Sequence, residues 1–348
     1  MSEKISASRR HSHPAGLYVL SAAEGIERNA FYELMALFTL YLNEALGMSK
    51  PDATNWYGNY LAGAYLAALP GGWLAGRVGQ RHQWIMAGAL LLSAGYWMLG
   101  HPRSWLACAV AVLVVGNSLF KPNISALVGA LYDRGGRRNE GFAIFYFAIN
   151  LGGFLGPLLG EGLRSRYGWN AAFGFAAASL MVANVILFAG RRHLPRTTVA
   201  APLQQGPESS QERAALSRAL TVLLICSVAL IPFWAVFQQS GAALTFWARD
   251  NTTRTVLGFE IPPGMYASVN PLVVCMLTVP VARVFSYLAR RGLRVSTAWK
   301  LLLGVLFVAA SFAVMYLASL TGGNTGRVSQ AWLCACYVLQ TIGELLLY

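Results

Sequence analysis

Long apolar runs separated by short polar breaks follow one another along almost the whole chain. Ten of them reach the roughly 20 residues that a helix needs to cross the hydrocarbon core of a bilayer: 17–46, 54–79, 83–100, 104–131, 140–163, 169–190, 218–248, 265–289, 296–319 and 329–348. These are spans 1 to 10. Between spans 6 and 7 the pattern lapses into "RRHLPRTTVAAPLQQGPESSQERAALSR", whose Pro, Gln, Ser and charge give it the composition of a flexible linker. The pattern predicts an all-α polytopic membrane protein. Its parts are a tail at 1–16, a six-helix bundle over 17–190, a linker over 191–217 and a second bundle over 218–348.

Composition agrees with that class. Of 348 residues 56% are hydrophobic and 12% charged, with a mean hydropathy of +0.48, more apolar surface than a soluble core can hide. The opening "MSEKISASRRHSHP" is basic, but the apolar run behind it is too long for a signal-peptide core and holds charges, so it reads as a retained tail. Cys108, Cys226, Cys275, Cys334 and Cys336 fall inside apolar runs without metal-ligand partners and read as free buried thiols.

Charge fixes the expected orientation. Seventeen Lys and Arg collect in the tail, after spans 2, 4, 6 and 8, and in the linker, against seven in the opposite loops. Positive charge stays on the cytosolic side, so the N-terminus, the linker and the C-terminal end are expected in the cytosol. The net charge of +13 is then a signature of topology and anionic lipid, and no nucleic-acid partner is needed to explain it.

Span 1 departs from the apolar rule, because "EGIERNAFYELMALFTLYL" carries Glu24, Glu27, Arg28 and Glu33. At about 100° per residue the first three share one sector of the helix, with Arg28 able to pair with Glu24 at i, i+4 beside Glu27. Charged groups inside a membrane span usually face a water-filled interior and serve an ion or substrate path, the alternative being an ion cluster that only locks the helix. Glu33 lies on the opposite side and is given no role. Lys121, deep in span 4 just before Pro122, is the other cation in an apolar setting that calls for an explanation.

"HPAGLYVLSAAEGIERNAFYELMALFTLYL" resembles the first helix of the proton-dependent oligopeptide transporters, with their E-x-x-E-R-F-x-Y-Y-G signature. The likeness recurs in order along the chain, in "LAGAYLAALPGGWLAGRVGQR", "GNSLFKPNISALVGALY", "GFAIFYFAINLGGFLGPLLGEGL", "PFWAVFQQSGAALTFWA", "IPPGMYASVNPLVV" and the final "GELLLY". It implies the major facilitator fold, two six-helix halves around a cavity that opens alternately to each side. It also implies proton-coupled symport of di- and tripeptides across the cytoplasmic membrane, with protons and the lipid bilayer as partners and no cofactor. Glu24, Glu27 and Arg28 would form the proton-responsive cluster. Lys121 would meet the peptide carboxylate or pair with a span 1 carboxylate, and Glu344 would take the α-ammonium. Asn150 and Asn270 would bond the peptide's amino end, and Tyr32 and Tyr65 would line the pocket; without the resemblance, buried Asn and Tyr are interhelical hydrogen-bond partners.

The departures from the family pattern are Phe31 for its first Tyr, Glu33 for Gly, Met35 for Arg, Gly76 for the Asp before Arg77, and Gln238 for a Glu of span 7. One cation and one anion are lost together, as expected when removing a single partner would strand a buried charge. Tyr348 falls where the family pattern runs on through span 10 and two further spans, so the expected C-terminal half is an incomplete, four-helix one. Two alternatives stay open: a family member that carries nitrate or a peptide-like compound, or a transport-dead truncated paralogue acting as a sensor. No H-E-x-x-H, G-x-S-x-G or metal-ligand cluster points to an enzyme. The charge asymmetry makes a direct prediction. In a background stripped of the five native cysteines, a cysteine at Ser209 stays unlabelled by an impermeant thiol reagent outside intact cells; rapid labelling overturns the orientation.

Overall fold

The structure is a computed structural model that describes residues 12–132, 136–195, 210–293, 295–322 and 326–347. Residues 1–11 of the expected tail and 196–209 of the expected linker, with Ser209, lie outside the described residues. The helices are α1 (Ala15–Leu40), α2 (Lys50–Val78), α3 (Arg81–Leu99), α4 (Leu106–Gly129), α5 (Gly136–Tyr167), α6 (Trp169–Gly190), α7 (Ser210–Phe237), α8 (Ala243–Asp250), α9 (Val269–Arg290), α10 (Thr297–Thr321) and α11 (Gln330–Leu347). Spans 1 to 6 correspond to α1–α6, and spans 8 to 10 to α9–α11. Among the described residues, seven helical stretches, those holding α4, α5, α6, α7 with α8, α9, α10 and α11, are long and apolar enough to cross a membrane.

Local chemistry sets the helix ends. Ser49 caps α2 by accepting from the Asp52 backbone N–H at 3.2 Å while its own hydroxyl donates to the Asp52 carboxylate at 2.6 Å. Gly79 and Gln80, both at positive φ, make the turn into α3. Among the described residues the chain adds what an all-α reading omits, four two-residue strands, three between α8 and α9 and one between α10 and α11. β1 (Thr252–Thr253) runs parallel to β4 (Val328–Ser329). β2 (Thr255–Val256) pairs antiparallel with β3 (Phe259–Glu260) across Leu257 and Gly258, whose positive φ values suit a two-residue hairpin turn.

Span 7, expected as one helix over 218–248, is broken. α7 ends at Phe237, a 3₁₀ turn follows over Gln238–Gly241, and α8 restarts at Ala243. The carbonyls freed by the break are not left bare, as a membrane interior requires. Gly241 O accepts from Thr39 Oγ1 at 2.9 Å and Ser240 O from Thr245 Oγ1 at 2.8 Å. A Cβ at Gly241 would lie 2.3 Å from the Tyr57 hydroxyl, so only glycine fits.

The chain falls into two compact units, Met1–Glu33 with Gly58–Ala200, and Leu34–Tyr57 with Ala201–Tyr348. In the first, α3 packs closely on α4 and α6. A Cβ on Gly88 would meet the Gly116 carbonyl at 2.8 Å, and Ser93 Oγ donates to the Ala177 carbonyl at 2.8 Å. In the second, α10 and α11 pack together, and Leu244, Ala248, Tyr266, Met315, Leu333, Cys336 and Tyr337 form the core. Leu34–Tyr57 belongs there through its bonds to the broken span and to the end of α8: Arg249 donates to Asn43 Oδ1 at 2.8 Å and pairs with Glu44 at 3.3 Å, and Lys50 pairs with Asp250 at 2.8 Å. All five cysteines are free as expected, but only Cys336 is buried within protein and Cys108 is exposed, because the apolar surroundings of a membrane helix include lipid as well as protein.

The backbones of α1 and α5 approach each other very closely in the first unit. Cβ atoms added to Gly152 and Gly156 would lie 2.1 Å from the Gly25 carbonyl and 2.2 Å from the Asn29 carbonyl, and one on Gly160 would lie 2.2 Å from Glu33 Cγ. Small residues at every fourth position are what let two membrane helices come this near. Gly156→Val therefore overpacks the contact, with an expected cost of about 1–3 kcal/mol read as a lower unfolding midpoint in detergent. An unchanged midpoint would mean that α1 and α5 can part without loss.

Candidate functional site

Four charged side chains of α1 and α4 meet inside the first unit. One helical turn separates Glu24 from Arg28, and the rotation of about 100° per residue puts Glu27 beside both. Arg28 forks onto Glu27, donating from Nε to Oε2 at 2.6 Å and from Nη2 to Oε1 at 2.7 Å, and its Nε lies 3.7 Å from Glu24 Oε1. Lys121 reaches across from α4 and donates from Nζ to the same Glu24 oxygen. Its position follows from packing: Pro122, next in sequence, meets Gly72 of α2, where a Cβ would stand 3.2 Å from the proline ring. Under the guanidinium lies the Phe31 ring, 4.3 Å from Arg28 Cζ to the ring centroid.

Two carboxylates and two cations make a neutral group, which is how a membrane interior tolerates them. Glu24, Glu27 and Arg28 are buried, whereas the Lys121 side chain is 32% exposed. The two acids differ in their satisfaction. Both Glu27 oxygens hold hydrogen bonds to Arg28, while Glu24 Oε2 has no partner among the described residues. Glu24 thus meets its cations through Oε1 alone.

In the second unit Glu344 of α11 is held by neutral side chains. Asn270 of α9 donates from Nδ2 to Glu344 Oε2 at 3.0 Å and to Thr341 Oγ1 at 2.9 Å, both on α11, and Thr341 donates on to the Tyr337 carbonyl at 2.7 Å. Glu344 is half-buried and has no cation within ion-pair distance among the described residues. The geometry thus joins the expected Glu24, Glu27, Arg28 and Lys121, and separately joins Asn270 to Glu344. Asn150 is buried and donates to the Tyr146 carbonyl of its own helix at 2.9 Å, Tyr32 is half-buried, and Tyr65 is 60% exposed.

The departures from the family pattern also have places. Met35 is buried, Gln238 opens the 3₁₀ turn of the broken span, and a Cβ on Gly76 would stand 3.4 Å from the Arg81 guanidinium, where an aspartate would find a cation.

The family model described as Major Facilitator Superfamily matches residues 20–347. The chain belongs to the major facilitator superfamily. Its relatives include dipeptide and tripeptide permease A of Escherichia coli (strain K12), 26% identical over 96% of this chain and 76% of the permease, and the peptide transporter YePEPT of Yersinia enterocolitica, 29% identical over 96% of this chain and 80% of the transporter. The fold is shared with a crystal structure of peptide transporter POT in complex with sulfate, at a TM-score of 0.83 and 28% identity over 97% of this chain and 81% of that one. A mutant of that transporter in complex with alafosfalin superposes equally well, at a TM-score of 0.83. The resemblance carried by the motifs thus holds along the chain, and the protein is a multi-pass membrane protein of a transporter family.

Sequence reading gave Glu33 no role and passed over Glu161. Glu33 is fully buried on the other side of α1, and Glu161 of α5, also fully buried, is bonded to Arg164 at 2.7 and 3.0 Å. The signal for both was in the chain, since each is an acid inside an apolar run. It passed over the Arg249 and Lys50 network as well, because each residue counted only as loop charge.

Removing one member of a buried pair leaves an uncompensated charge, so Arg28→Met alone is expected to cost about 3–5 kcal/mol of stability through the stranded Glu27. Glu27→Gln added to it restores most of that loss. A double-mutant cycle on unfolding in detergent measures both, and additive losses would show that the two groups do not depend on each other.

Proposed function

We propose that this chain is a proton-coupled symporter of di- and tripeptides that works by alternating access. It lies in the cytoplasmic (inner) membrane with its N-terminus in the cytosol and works without a cofactor. The observation that carries the reading is the bond from Lys121 to Glu24. A cation that is partly exposed and held by a carboxylate can be handed to the carboxylate of a substrate once a proton neutralises Glu24, which ties the binding of one proton to the binding of one anion. Glu27 and Arg28 hold that exchange in place. Glu344, which has no ion-pair partner among the described residues, suits the peptide's α-ammonium, with Asn270 fixing its orientation and Asn150, Tyr32 and Tyr65 as further substrate contacts. The peptide names of the relatives support the substrate class.

A second reading, a transport-dead sensor, is favoured by Met35 and Gln238, which remove a cation and an acid that family members use. Uptake separates the two. In proteoliposomes with an inward proton gradient, the wild type accumulates labelled dialanine, and Glu24→Gln abolishes accumulation while leaving counterflow of dialanine intact. Undiminished accumulation by Glu24→Gln places the coupling proton elsewhere, and a wild type that neither accumulates nor exchanges dialanine leaves the sensor reading standing.

A further inference from the structure

α3 and α6 lie side by side in the first unit and leave a groove between them on its surface, about 420 Å³ in volume. Leu90, Ala94 and Trp97 of α3 and Gly174, Ala178 and Met181 of α6 line it. Leu90 and Trp97 stand on the opposite side of α3 from Gly88 and Gly95, which meet α4, so the groove opens away from that packing. Leu90, Trp97 and Met181 are 49%, 50% and 47% exposed and form its rims. The small residues give it depth. A Cβ on Gly174 would meet nothing within 4 Å, so this glycine serves no close helix contact.

The floor of the groove has its hydrogen bonds made. Ser93 Oγ donates to the Ala177 carbonyl at 2.8 Å and Asn184 Nδ2 to the Met86 carbonyl at 3.0 Å, which joins α3 to α6 at two heights. What remains is an apolar trough from Leu90 to Trp97. At a rise of about 1.5 Å per residue it is about 10 Å long, most of one leaflet of a bilayer whose hydrocarbon core is about 30 Å thick.

One end of the trough is polar. Past Leu99, where α3 stops, His101 lies against Trp97 with 3.8 Å between ring centroids and stacks on Trp105 at 5.6 Å. Its Nδ1 donates to the Trp97 carbonyl at 2.8 Å, since a carbonyl only accepts. Arg103 opens the turn between His101 and Trp105 and is exposed, as His101 is. On the α6 side, Asn170 comes close to Gly100, whose added Cβ would lie 3.6 Å from the Asn170 Cα. Tryptophans beside basic side chains at a helix end mark the boundary between hydrocarbon and headgroups. No Asp or Glu occurs in residues 81–129 or 169–190, so the elements that frame the trough add no negative charge to repel an anion.

We propose that the α3–α6 groove binds one phospholipid with an anionic headgroup, with an acyl chain lying in the trough between Trp97 and Leu90 and the phosphate held at His101 and Arg103. The guanidinium fork of Arg103 matches phosphate oxygens, and the trough, whose polar atoms are already bonded, matches a chain that has none. A lipid that binds the folded chain braces the contact of α3 with α6 and stabilises it by mass action.

Native mass spectrometry of the purified, delipidated full chain tests the site, with phosphatidylglycerol and phosphatidylcholine offered in equal amounts. The wild type is expected to retain one phosphatidylglycerol. Gly174→Leu fills the trough and loses that lipid, while its unfolding midpoint in detergent alone does not drop below the wild-type value. Arg103→Gln leaves the trough intact and weakens the preference for phosphatidylglycerol about fivefold, the worth of one basic residue at an anionic surface. If Gly174→Leu does not fold, Ala178→Leu, one turn further along the same face, is expected to lose the lipid in its place. Failure of the wild type to prefer phosphatidylglycerol, or undiminished retention by a folded groove-filling variant, overturns the site. An unchanged preference in Arg103→Gln overturns the headgroup assignment. A wild-type dimer that Gly174→Leu reduces to a monomer overturns the lipid and assigns the groove to a second copy of the chain.

Discussion

A charge inside a bilayer has no water to fall back on, so each must be matched by protein, and the α1 and α4 group is built on that constraint. Arg28 is bound bidentately to Glu27, and Lys121 is bound to Glu24. The fork geometry of a guanidinium fits a carboxylate with two parallel bonds, whereas an ammonium is a point charge that can be transferred between partners. That difference assigns the two halves of the group their characters. The Arg28 half is held firmly by two bonds in a buried setting, and the Lys121 half is a single contact at a partly exposed side chain. A fixed pair beside a movable one is what an exchange of partners requires.

The same shortage of water governs the backbone. Span 7 breaks where Gln238 to Gly241 form a 3₁₀ turn, and hydroxyls of Thr39 and Thr245 take up the carbonyls this frees. Pro70, Pro122, Pro157, Pro232 and Pro280 lie inside helices for the same reason, since a proline costs little where neighbouring groups satisfy the carbonyl it leaves. Glycine supplies the remaining freedom. Without side chains at 152, 156 and 160, α5 approaches α1 closely enough to enclose Glu33. Among the described residues that packing leaves this carboxyl without a hydrogen-bond partner.

Much of this was legible in the sequence because bilayer thickness converts directly into run length. Spans 1 to 6 and 8 to 10 each met one helix, span 6 with the same ends, 169–190, while span 7 was broken into α7 and α8. The pairing of Arg28 with its acidic neighbours followed from helical spacing, which is local. Whether Lys121 faced a substrate or a carboxylate of span 1 stayed open, since periodicity on α4 carries no information about what α1 presents to it.

The sequence by itself determined the membrane class, the number and limits of most helices, and which ionisable residues had to be explained, because each depends on residues near one another along the chain. Tertiary structure decided the partners: Lys121 with Glu24, Asn270 with Glu344, Thr39 with Gly241, and Glu33 with none among the described residues. These depend on which helix faces which and at what height, and hydropathy is nearly indifferent to that, since an apolar face is satisfied by lipid and by a neighbouring helix alike.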